Sequence, residues 1–265
     1  MTTLKEALKK KLTQKELSVL RGSFDVIGDI AIIEIPPQIK KREKIIGQTL
    51  LSILKNVRTV AAEAGEHTGK YRRQKLRIIA GQKKFETTQK ESGIILKTNV
   101  AKCYYSPRLG SERLRIAKLV KKGEKILVAG SGIAPYPIIL ARHSPAKEIT
   151  GVETNPVAHK YAIENVKLNK VKNIKLIKGD IKKIKLGKFD RIILAIPHEG
   201  VKLAPAVLKF AKKGTKLHVY DFAFEENLEE PARKLKNCKI LRVVKTQQVG
   251  VRRYRVCVDA ITQTS

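Results

Sequence analysis

The sequence predicts an α/β protein in which a doubly wound, mostly parallel sheet follows a smaller α+β domain. From about residue 111 onward, helical patterns alternate with short apolar strands, as in parallel sheets that are covered on both faces. A glycine turn, Gly130-Ser131-Gly132, joins the first of these strands to a helix. A length of 265 residues accommodates two domains, which we place at 1–110 and 111–265.

The N-terminal domain is expected to mix helices with short strands. The spacing of apolar residues predicts helices over 4–20 and 41–54. Segment 23–35 is predicted to be a pair of strands broken at Gly28-Asp29, and several short strands separated by glycines are expected within 59–96. A last short strand is expected over 100–105.

In the second domain, the strands are predicted at 125–129, 148–153, 174–177, 189–196, 215–220, 239–246 and 253–260. The helices are predicted at 111–120, with Ser111 as its N-cap, and at 135–142, 156–168, 201–211 and 226–236. The last two strands follow one another without an obvious helix, which predicts an antiparallel pair at one end of the sheet. By analogy of fold, that ending resembles class I methyltransferases rather than ordinary dinucleotide-binding domains.

The charge of the chain points to a polyanionic partner. The sequence has 56 Lys and Arg against 24 Asp and Glu, a formal net charge of +32, and 42% hydrophobic residues that can form a core. The excess is spread over the chain, at +14 in residues 1–115 and +18 in 116–265. A broad basic surface favours nucleic acid over one small acidic metabolite.

Other classes of protein are disfavoured by the sequence. No apolar run is long enough to span a membrane and no signal-peptide pattern opens the chain, so we expect neither a membrane nor a secreted protein. Cys103, Cys238 and Cys257 are widely spaced, which predicts thiols in a reducing cytoplasm rather than a disulfide framework or a metal site.

Acidic residues follow the strands next to the glycine turn. Glu153 ends the second strand, 21 residues past Gly132, where a carboxylate can accept hydrogen bonds from the ribose of NAD or of S-adenosylmethionine. Asp180 follows the third strand, a position that can face an adenine amino group. Pro135 removes an N–H donor from the start of the helix, which suits a sulfonium cofactor better than a diphosphate.

Several longer motifs resemble the archaeal and eukaryotic family of tRNA (guanine37-N1)-methyltransferases. They are the segment 23–36 (SFDVIGDIAIIEIP), Tyr71-Arg72, the segment 105–113 (YSPRLGSER) and the segment 164–170 (ENVKLNK). The resemblance covers almost the whole chain. It implies a cytoplasmic enzyme that uses S-adenosyl-L-methionine to methylate N1 of guanine 37, with the tRNA anticodon stem-loop as its partner. No metal and no protein partner are expected.

The resemblance also implies roles for individual residues. Glu112 would be the general base that removes the N1 proton, and Arg72 the cation that stabilises charge on O6. The target nucleotide would be flipped into the pocket. Without the resemblance, Glu112 would be interpreted as a carboxylate that interacts with the helix dipole, and Arg72 as a residue that contacts a phosphate. The residues that the resemblance assigns to cofactor binding are Arg108, Gly130, Gly132, Ala134, Glu153, Asp180 and Ala195.

Two departures from the family pattern leave alternatives open. Val128 stands where an acidic residue is usual, and Ala195-Ile196-Pro197 replaces the Asn-Leu-Pro that holds the target base. One alternative is a 3-amino-3-carboxypropyltransferase of wyosine synthesis that acts at the same tRNA position. Another is a non-catalytic RNA-binding protein on a degenerate methyltransferase fold. An NAD oxidoreductase is disfavoured by the charge and by the lack of evident hydride-transfer residues.

Overall fold

The computed structural model describes residues 2–65, 75–196 and 199–263. The chain divides into two compact units, Met1–Pro107 and Arg108–Ser265. The boundary expected from the sequence, after residue 110, lies just inside the second unit. Across the described ranges, every helix is too short or too polar to cross a membrane.

In its described residues, 2–65 and 75–107, the first unit contains a four-stranded sheet, a separate two-stranded hairpin and three α-helices. The sheet order is β1-β2-β3-β4, with β2 and β3 parallel and the other pairs antiparallel. The elements are α1 (Leu4–Leu8), α2 (Gln14–Val19), β1 (Phe24–Ile27), β2 (Ile30–Ile33), α3 (Glu43–Ile53), β3 (Thr59–Glu63), β4 (Leu76–Gly81), β5 (Glu86–Glu91) and β6 (Ile94–Asn99). One core of aliphatic residues from α1, α3 and the sheet holds this unit together.

Two predictions for the first unit were wrong. The helix expected over 4–20 is two helices, because the side chain of Thr13 accepts the N–H of Glu16 and starts a new helix with a capping box. The strand expected over 100–105 is irregular. There the side-chain oxygen of Asn99 accepts the N–H groups of Ala101 and Lys102 and turns the chain.

The second unit is a seven-stranded sheet in the order β12-β13-β11-β10-β7-β8-β9. Strands β9, β8, β7, β10 and β11 are parallel, while β13 and β12 add an antiparallel end, as predicted. The elements are α4 (Gly110–Lys118), β7 (Lys125–Ala129), α5 (Pro135–His143), β8 (Glu148–Glu153), α6 (Pro156–Leu168), β9 (Ile174–Lys178), β10 (Phe189–Leu194), α7 (Gly200–Leu208), β11 (Ala211–Phe224), α8 (Glu230–Arg233), β12 (Cys238–Gly250) and β13 (Arg253–Thr262).

A side-chain cap explains the start of α6, and two helix predictions for this unit were wrong. Asn155 caps α6 by accepting the N–H groups of Val157 and Ala158. Ser111 is not the cap of α4, because the helix begins one residue earlier and its N-cap is Leu109. The helix predicted over 226–236 shortens to the single turn of α8.

The apolar core of the second unit lies around the middle of the sheet. Leu127, Ile192, Leu194, Leu217 and Val219 are completely buried. Because side chains of the central strands pack on both faces, the polar residues of a site are confined to the strand ends. The fold therefore presents its candidate site at the carboxyl edge of the parallel strands.

Candidate active site

Four strand ends bring predicted cofactor-binding residues to one edge of the sheet. In the register, Ala129 pairs with both Val152 and Leu194, so the ends of β7, β8 and β10 lie at one level. Gly130, Gly132, Glu153, Asp180 and Ala195 follow or end these strands and β9. All five are partly accessible, whereas the strand residues Ala129 and Leu194 are fully buried.

The glycine turn needs its glycines for backbone reasons. Gly130 has φ +75° and Gly132 has φ +57°, in the left-handed region that favours glycine. A Cβ on Gly130 would also lie 2.4 Å from Cγ1 of Ile196. The N–H groups of Gly130 and Ser131 both donate to the carbonyl oxygen of Val152, at 2.9 and 3.0 Å. The turn is therefore fixed against the end of β8.

Glu153 is held by backbone donors from two loops. Its Oε2 accepts the N–H of Gly132 at 2.8 Å, and its Oε1 accepts the N–H of Asn155 at 2.7 Å. Burial raises the pKa of this carboxyl group above its ordinary value, against the lowering effect of these hydrogen bonds. Thr154 also donates to this carboxylate, from its backbone and its side chain, so a ribose hydroxyl would take the place of one of these donors.

The remaining predicted cofactor residues differ in what they can offer. Asp180 closes a local turn, in which its Oδ1 accepts the N–H of Lys182 at 3.0 Å. Ala134 is fully buried, and its N–H donates to the carbonyl oxygen of Ser131, so its contribution is the shape of the turn. Arg108 is exposed in the short 3-10 turn Pro107–Leu109. Arg72 lies outside the described residues.

Glu112 lies in the first turn of α4 with 5% of its surface exposed. Arg115 donates to both of its oxygens, from Nε at 2.6 Å and from a terminal nitrogen at 2.8 Å. The hydroxyl of Tyr220 donates to Oε1 at 2.5 Å and in turn accepts the hydroxyl of Tyr136 at 2.6 Å. Burial raises the pKa of both tyrosines, which keeps these hydroxyls protonated as donors.

These contacts connect Glu112 to the edge that carries the glycine turn. Tyr136 is the second residue of α5, the helix that directly follows the turn. Tyr220 comes one residue after Val219, which pairs with Leu194 at the carboxyl end of β10. The structure thus brings Glu112 together with two elements of the predicted cofactor edge.

A buried ionic network lies beyond Arg115, and no motif in the sequence indicates it. Asp259 on β13 accepts hydrogen bonds from Arg115, Arg242 and Nδ1 of His218, at 2.6, 2.7 and 2.6 Å. Burial alone would raise the pKa of Asp259, but its hydrogen bonds to His218 and Arg115 hold it well below the ordinary value of 3.8. His218 and Asp259 are adjacent only because they pair across β11 and β13.

The contacts of His218 fix its protonation state. A terminal nitrogen of Arg191 lies 2.6 Å from Nε2 of His218. Because an arginine only donates, Nε2 must accept and the proton resides on Nδ1, which donates to Asp259. Burial lowers the pKa of His218 below its ordinary value of 6.5, in agreement with a neutral ring.

We expect this histidine to make the fold sensitive to acid. The unfolded imidazole gains a proton below pH 6.5 while the folded ring stays neutral, so the free energy of unfolding falls as the pH drops below that value. In His218→Gln, an amide can still donate to Asp259 and accept from Arg191 but does not titrate. The melting temperature of this variant should fall less steeply between about pH 6.5 and 5 than that of the unmodified protein. Equal slopes would contradict a neutral buried His218.

The same network also contains three groups with metal-ligand chemistry. His218, Cys257 and Asp259 each place one ligand atom within 4.8 Å of the others. Both ring nitrogens of His218 and both oxygens of Asp259 are already hydrogen-bonded, and Arg115, Arg191 and Arg242 surround them. Three guanidinium groups disfavour a further cation, so we assign these residues to the ionic network.

Comparison with known protein families gives two matches along the chain. Residues 87–246 match the TRM5/TYW2 methyltransferase domain, and residues 4–84 match the TYW2 N-terminal domain. The first match covers more than half of the chain and contains most of the edge described above.

Two curated relatives share substantial identity with the chain. The tRNA (guanine(37)-N(1))-methyltransferase Trm5b of Pyrococcus abyssi is 40% identical over 206 residues, 78% of this chain but 62% of the relative. The tRNA (guanine(37)-N(1))/4-demethylwyosine(37)-methyltransferase Taw22 of Nanoarchaeum equitans is 31% identical over 299 aligned residues, 89% of this chain and 98% of the relative.

Two solved structures that contain bound ligands are similar in fold to this chain. The complex of aTrm5 with tRNALeu superposes with a TM-score of 0.89 at 27% identity, covering 98% of this chain and 78% of that one. Methanocaldococcus jannaschii TYW2 in complex with AdoMet superposes with a TM-score of 0.70 at 25% identity, covering 92% of this chain and all of that one.

Proposed function

The chain belongs to the TRM5/TYW2 methyltransferase family, and we propose that it transfers a methyl group from S-adenosyl-L-methionine to N1 of guanine 37 in tRNA. The observation that carries this proposal is the position of Glu112. Its hydrogen-bond partner Tyr220 contacts Tyr136 at the start of the helix after the glycine turn. A buried carboxylate therefore lies at the edge where the proposed donor and acceptor would meet.

The residues at this edge fit S-adenosyl-L-methionine. Gly130 and Gly132 would allow close approach of the backbone, Glu153 would accept the ribose hydroxyls, and Asp180 would face the adenine. Pro135 and Pro137 both lie in the first turn of α5 and lack N–H groups. That helix start is a poor phosphate site, which supports a cationic cofactor over a dinucleotide. The cofactor supplies an electrophilic methyl group on its sulfonium.

Glu112 is suited to take the N1 proton of the target guanine. A carboxylate has about four acceptor positions, and the described contacts from Arg115 and Tyr220 use three of them. One position on Oε2 is then available for a substrate N–H. The chain holds this base in a fixed orientation, so positioning supplies much of the rate. Arg72 is proposed as the cation that faces O6, and Arg108 as a positioning residue of the loop before Glu112.

The basic surface supports a tRNA substrate, with the anticodon stem-loop as the recognised part. The net charge of +32 provides a general attraction to phosphates, while a base in the loop must leave its stack to reach Glu112. We place this activity in the cytoplasm, as expected from the sequence.

A second candidate function has a specific observation in its favour. The match of residues 4–84 to the TYW2 N-terminal domain, together with Ala195 in place of the usual asparagine, favours transfer of an aminocarboxypropyl group to a modified base at the same position. Alanine has no side-chain hydrogen bond to offer a guanine edge. The two functions share the cofactor and the tRNA but differ in the group transferred.

The proposal is tested with an unmodified tRNA transcript and cofactor labelled in its methyl group. We expect label to enter a transcript with guanine at position 37 and not a matched transcript with adenine there. Equal labelling of both transcripts would place the reaction elsewhere, and unlabelled RNA would contradict the proposed methyl transfer.

Replacement of Glu153 tests the proposed cofactor site. In Glu153→Gln, the amide nitrogen cannot accept the N–H groups that now donate to the carboxylate, and the charged acceptor for ribose is lost. We expect the dissociation constant for S-adenosyl-L-methionine to rise by about tenfold to a hundredfold, measured by calorimetry. Glu148→Gln, at the other end of β8, is the control and should bind normally. Unchanged binding by Glu153→Gln would exclude Glu153 from the site.

A further inference from the structure

Strand β11 extends past the carboxyl edge of the parallel sheet. Its pairing with β10 ends where Leu194 meets Val219, but β11 continues to Phe224 in register with β13. Residues 220–224 and their partners in β13 therefore project from the edge that carries the candidate active site. Beyond Tyr220, which donates to Glu112, neither the cofactor site nor the proposed base accounts for this extension.

One face of the extension is a row of aromatic and arginine side chains. Side chains alternate along a strand, so Tyr220, Phe222 and Phe224 share a face of β11. Opposite them on β13, Arg255 pairs with Phe222 and Arg253 pairs with Phe224. We call Phe222, Phe224, Arg253 and Arg255 the aromatic–arginine ladder. It starts next to Tyr220, whose hydroxyl donates to Glu112.

Exposure rises along the ladder with distance from Glu112. Tyr220 is 2% exposed, Phe222 is partly buried and Phe224 is 52% exposed. On the facing strand, Arg255 is buried and Arg253 is exposed. The ladder thus runs from the buried carboxylate to a solvent-facing aromatic ring, which is the direction in which a polymer would leave the site.

The guanidinium groups of the ladder stack on its rings. The Arg253 guanidinium carbon lies 5.3 Å from the centre of the Phe222 ring and 5.8 Å from that of Phe224, and the Arg255 carbon lies 5.4 Å from Phe222. Within the described parts of the chain, Arg253 forms no ion pair, whereas the neighbouring Arg252 contacts Glu225 and Glu226. The charge of Arg253 therefore remains available to an anion.

We propose that the aromatic–arginine ladder binds a nucleotide that neighbours the target base in the RNA loop. The exposed ring of Phe224 would stack on that base, and Arg253 would contact the adjoining phosphate. Exposed aromatic rings beside arginines bind single-stranded nucleic acid because every base has a stacking face and every linkage carries a charge. This inference rests on the proposed RNA substrate and deepens it, since it assigns the surface that guides the loop to Glu112.

The test compares variants of the ladder with matched control variants on or next to the strands β12 and β13. Phe224→Ala and Arg253→Gln remove the stacking ring and the charge. Their controls are Leu241→Ala, which truncates a side chain on β12 that is 53% exposed, and Arg252→Gln. An anticodon stem-loop RNA is titrated against each full-length variant by fluorescence anisotropy over a range of salt concentrations. Melting temperatures separate loss of binding from loss of structure.

We expect Phe224→Ala and Arg253→Gln each to raise the dissociation constant for the RNA by about tenfold. In Arg253→Gln, the slope of the logarithm of RNA affinity against the logarithm of salt concentration should also fall by about the amount expected for one lost phosphate contact. Phe224→Tyr should retain binding, because a phenol ring stacks as well. Leu241→Ala and Arg252→Gln should bind within about twofold of the unmodified protein, since they leave the ladder intact.

Other results would overturn the ladder. Equal losses of RNA affinity in the ladder variants and the control variants would mean that these strands act only through their general charge or stability. Unchanged RNA binding by Phe224→Ala and Arg253→Gln would exclude the ladder, and so would an unmodified protein that does not bind the stem-loop. Because binding is measured without catalysis, an unmodified protein that binds the RNA but transfers no methyl group would refute the proposed function while the ladder comparison still stands.

Discussion

Glu112→Gln is expected to lower the single-turnover rate of methyl transfer by about 10²–10⁴-fold and to leave the dissociation constant of the cofactor nearly unchanged. The amide keeps the size of the side chain and can still accept the hydroxyl of Tyr220, but it cannot take the N1 proton. The cofactor is proposed to contact the glycine turn and Glu153, so its affinity should not depend on this carboxylate. Rapid-quench measurement of labelled product gives the rate, and calorimetry gives the affinity.

A matched control is available at the opposite end of the sheet. Glu124 is also a buried carboxylate paired with an arginine, Arg191, but it lies next to the start of β7. Glu124→Gln removes a comparable ion pair that is linked to Glu112 only through the chain of Arg191, His218, Asp259 and Arg115, and it should transfer methyl groups at a normal rate. A normal rate in Glu112→Gln, or equal losses in both variants, would remove Glu112 from the chemistry.

Loss of Asp259 should have the largest effect on stability. Asp259 is 3% exposed, and its carboxylate accepts hydrogen bonds from Arg115, Arg242 and His218. In Asp259→Ala these donors lose their common acceptor, and removal of one partner from a buried charge network costs about 3–5 kcal/mol. Denaturant unfolding with a fitted midpoint and slope measures the free energy of unfolding.

The control for Asp259→Ala is a substitution in an exposed ion pair. Glu230 pairs with Lys234 one helical turn away, and both side chains are well exposed. Glu230→Ala should therefore change the unfolding transition little. If Asp259→Ala were no less stable than Glu230→Ala, the network would contribute nothing measurable and its role in holding Arg115 against Glu112 would be lost.

The sequence predicted much of the second unit because local signals agree with the tertiary fold there. Strands β7 and β8 and helix α6 begin and end where the sequence pattern predicted them. The helix expected over 4–20 was wrong because Thr13 caps a second helix within it. Apolar spacing does not reveal such a break, since Leu8 and Leu20 are both buried.

The contacts of the candidate site were predicted less completely than the fold. Motifs indicated the glycine turn, Glu153 and Glu112 as candidate residues, and the register of the parallel strands brings the first two together. Arg115, Asp259 and His218 gave no such signal, because they meet only through the antiparallel register of β11 and β13. The same register creates the aromatic–arginine ladder. If the pairing of β11 with β13 shifted by one residue, the side chains of one strand would face the other side of the sheet. The spacing of residues along the sequence does not determine that register.

The central claim is that the carboxyl edge of this sheet, with Glu112 as its base, methylates N1 of guanine 37. It is tested most directly by digesting the reacted tRNA transcript to nucleosides and identifying the new nucleoside by chromatography and mass. We expect 1-methylguanosine, formed by the unmodified protein and strongly reduced with Glu112→Gln. A guanosine methylated at another atom, a base carrying an aminocarboxypropyl group, or equal yields from both proteins would contradict it.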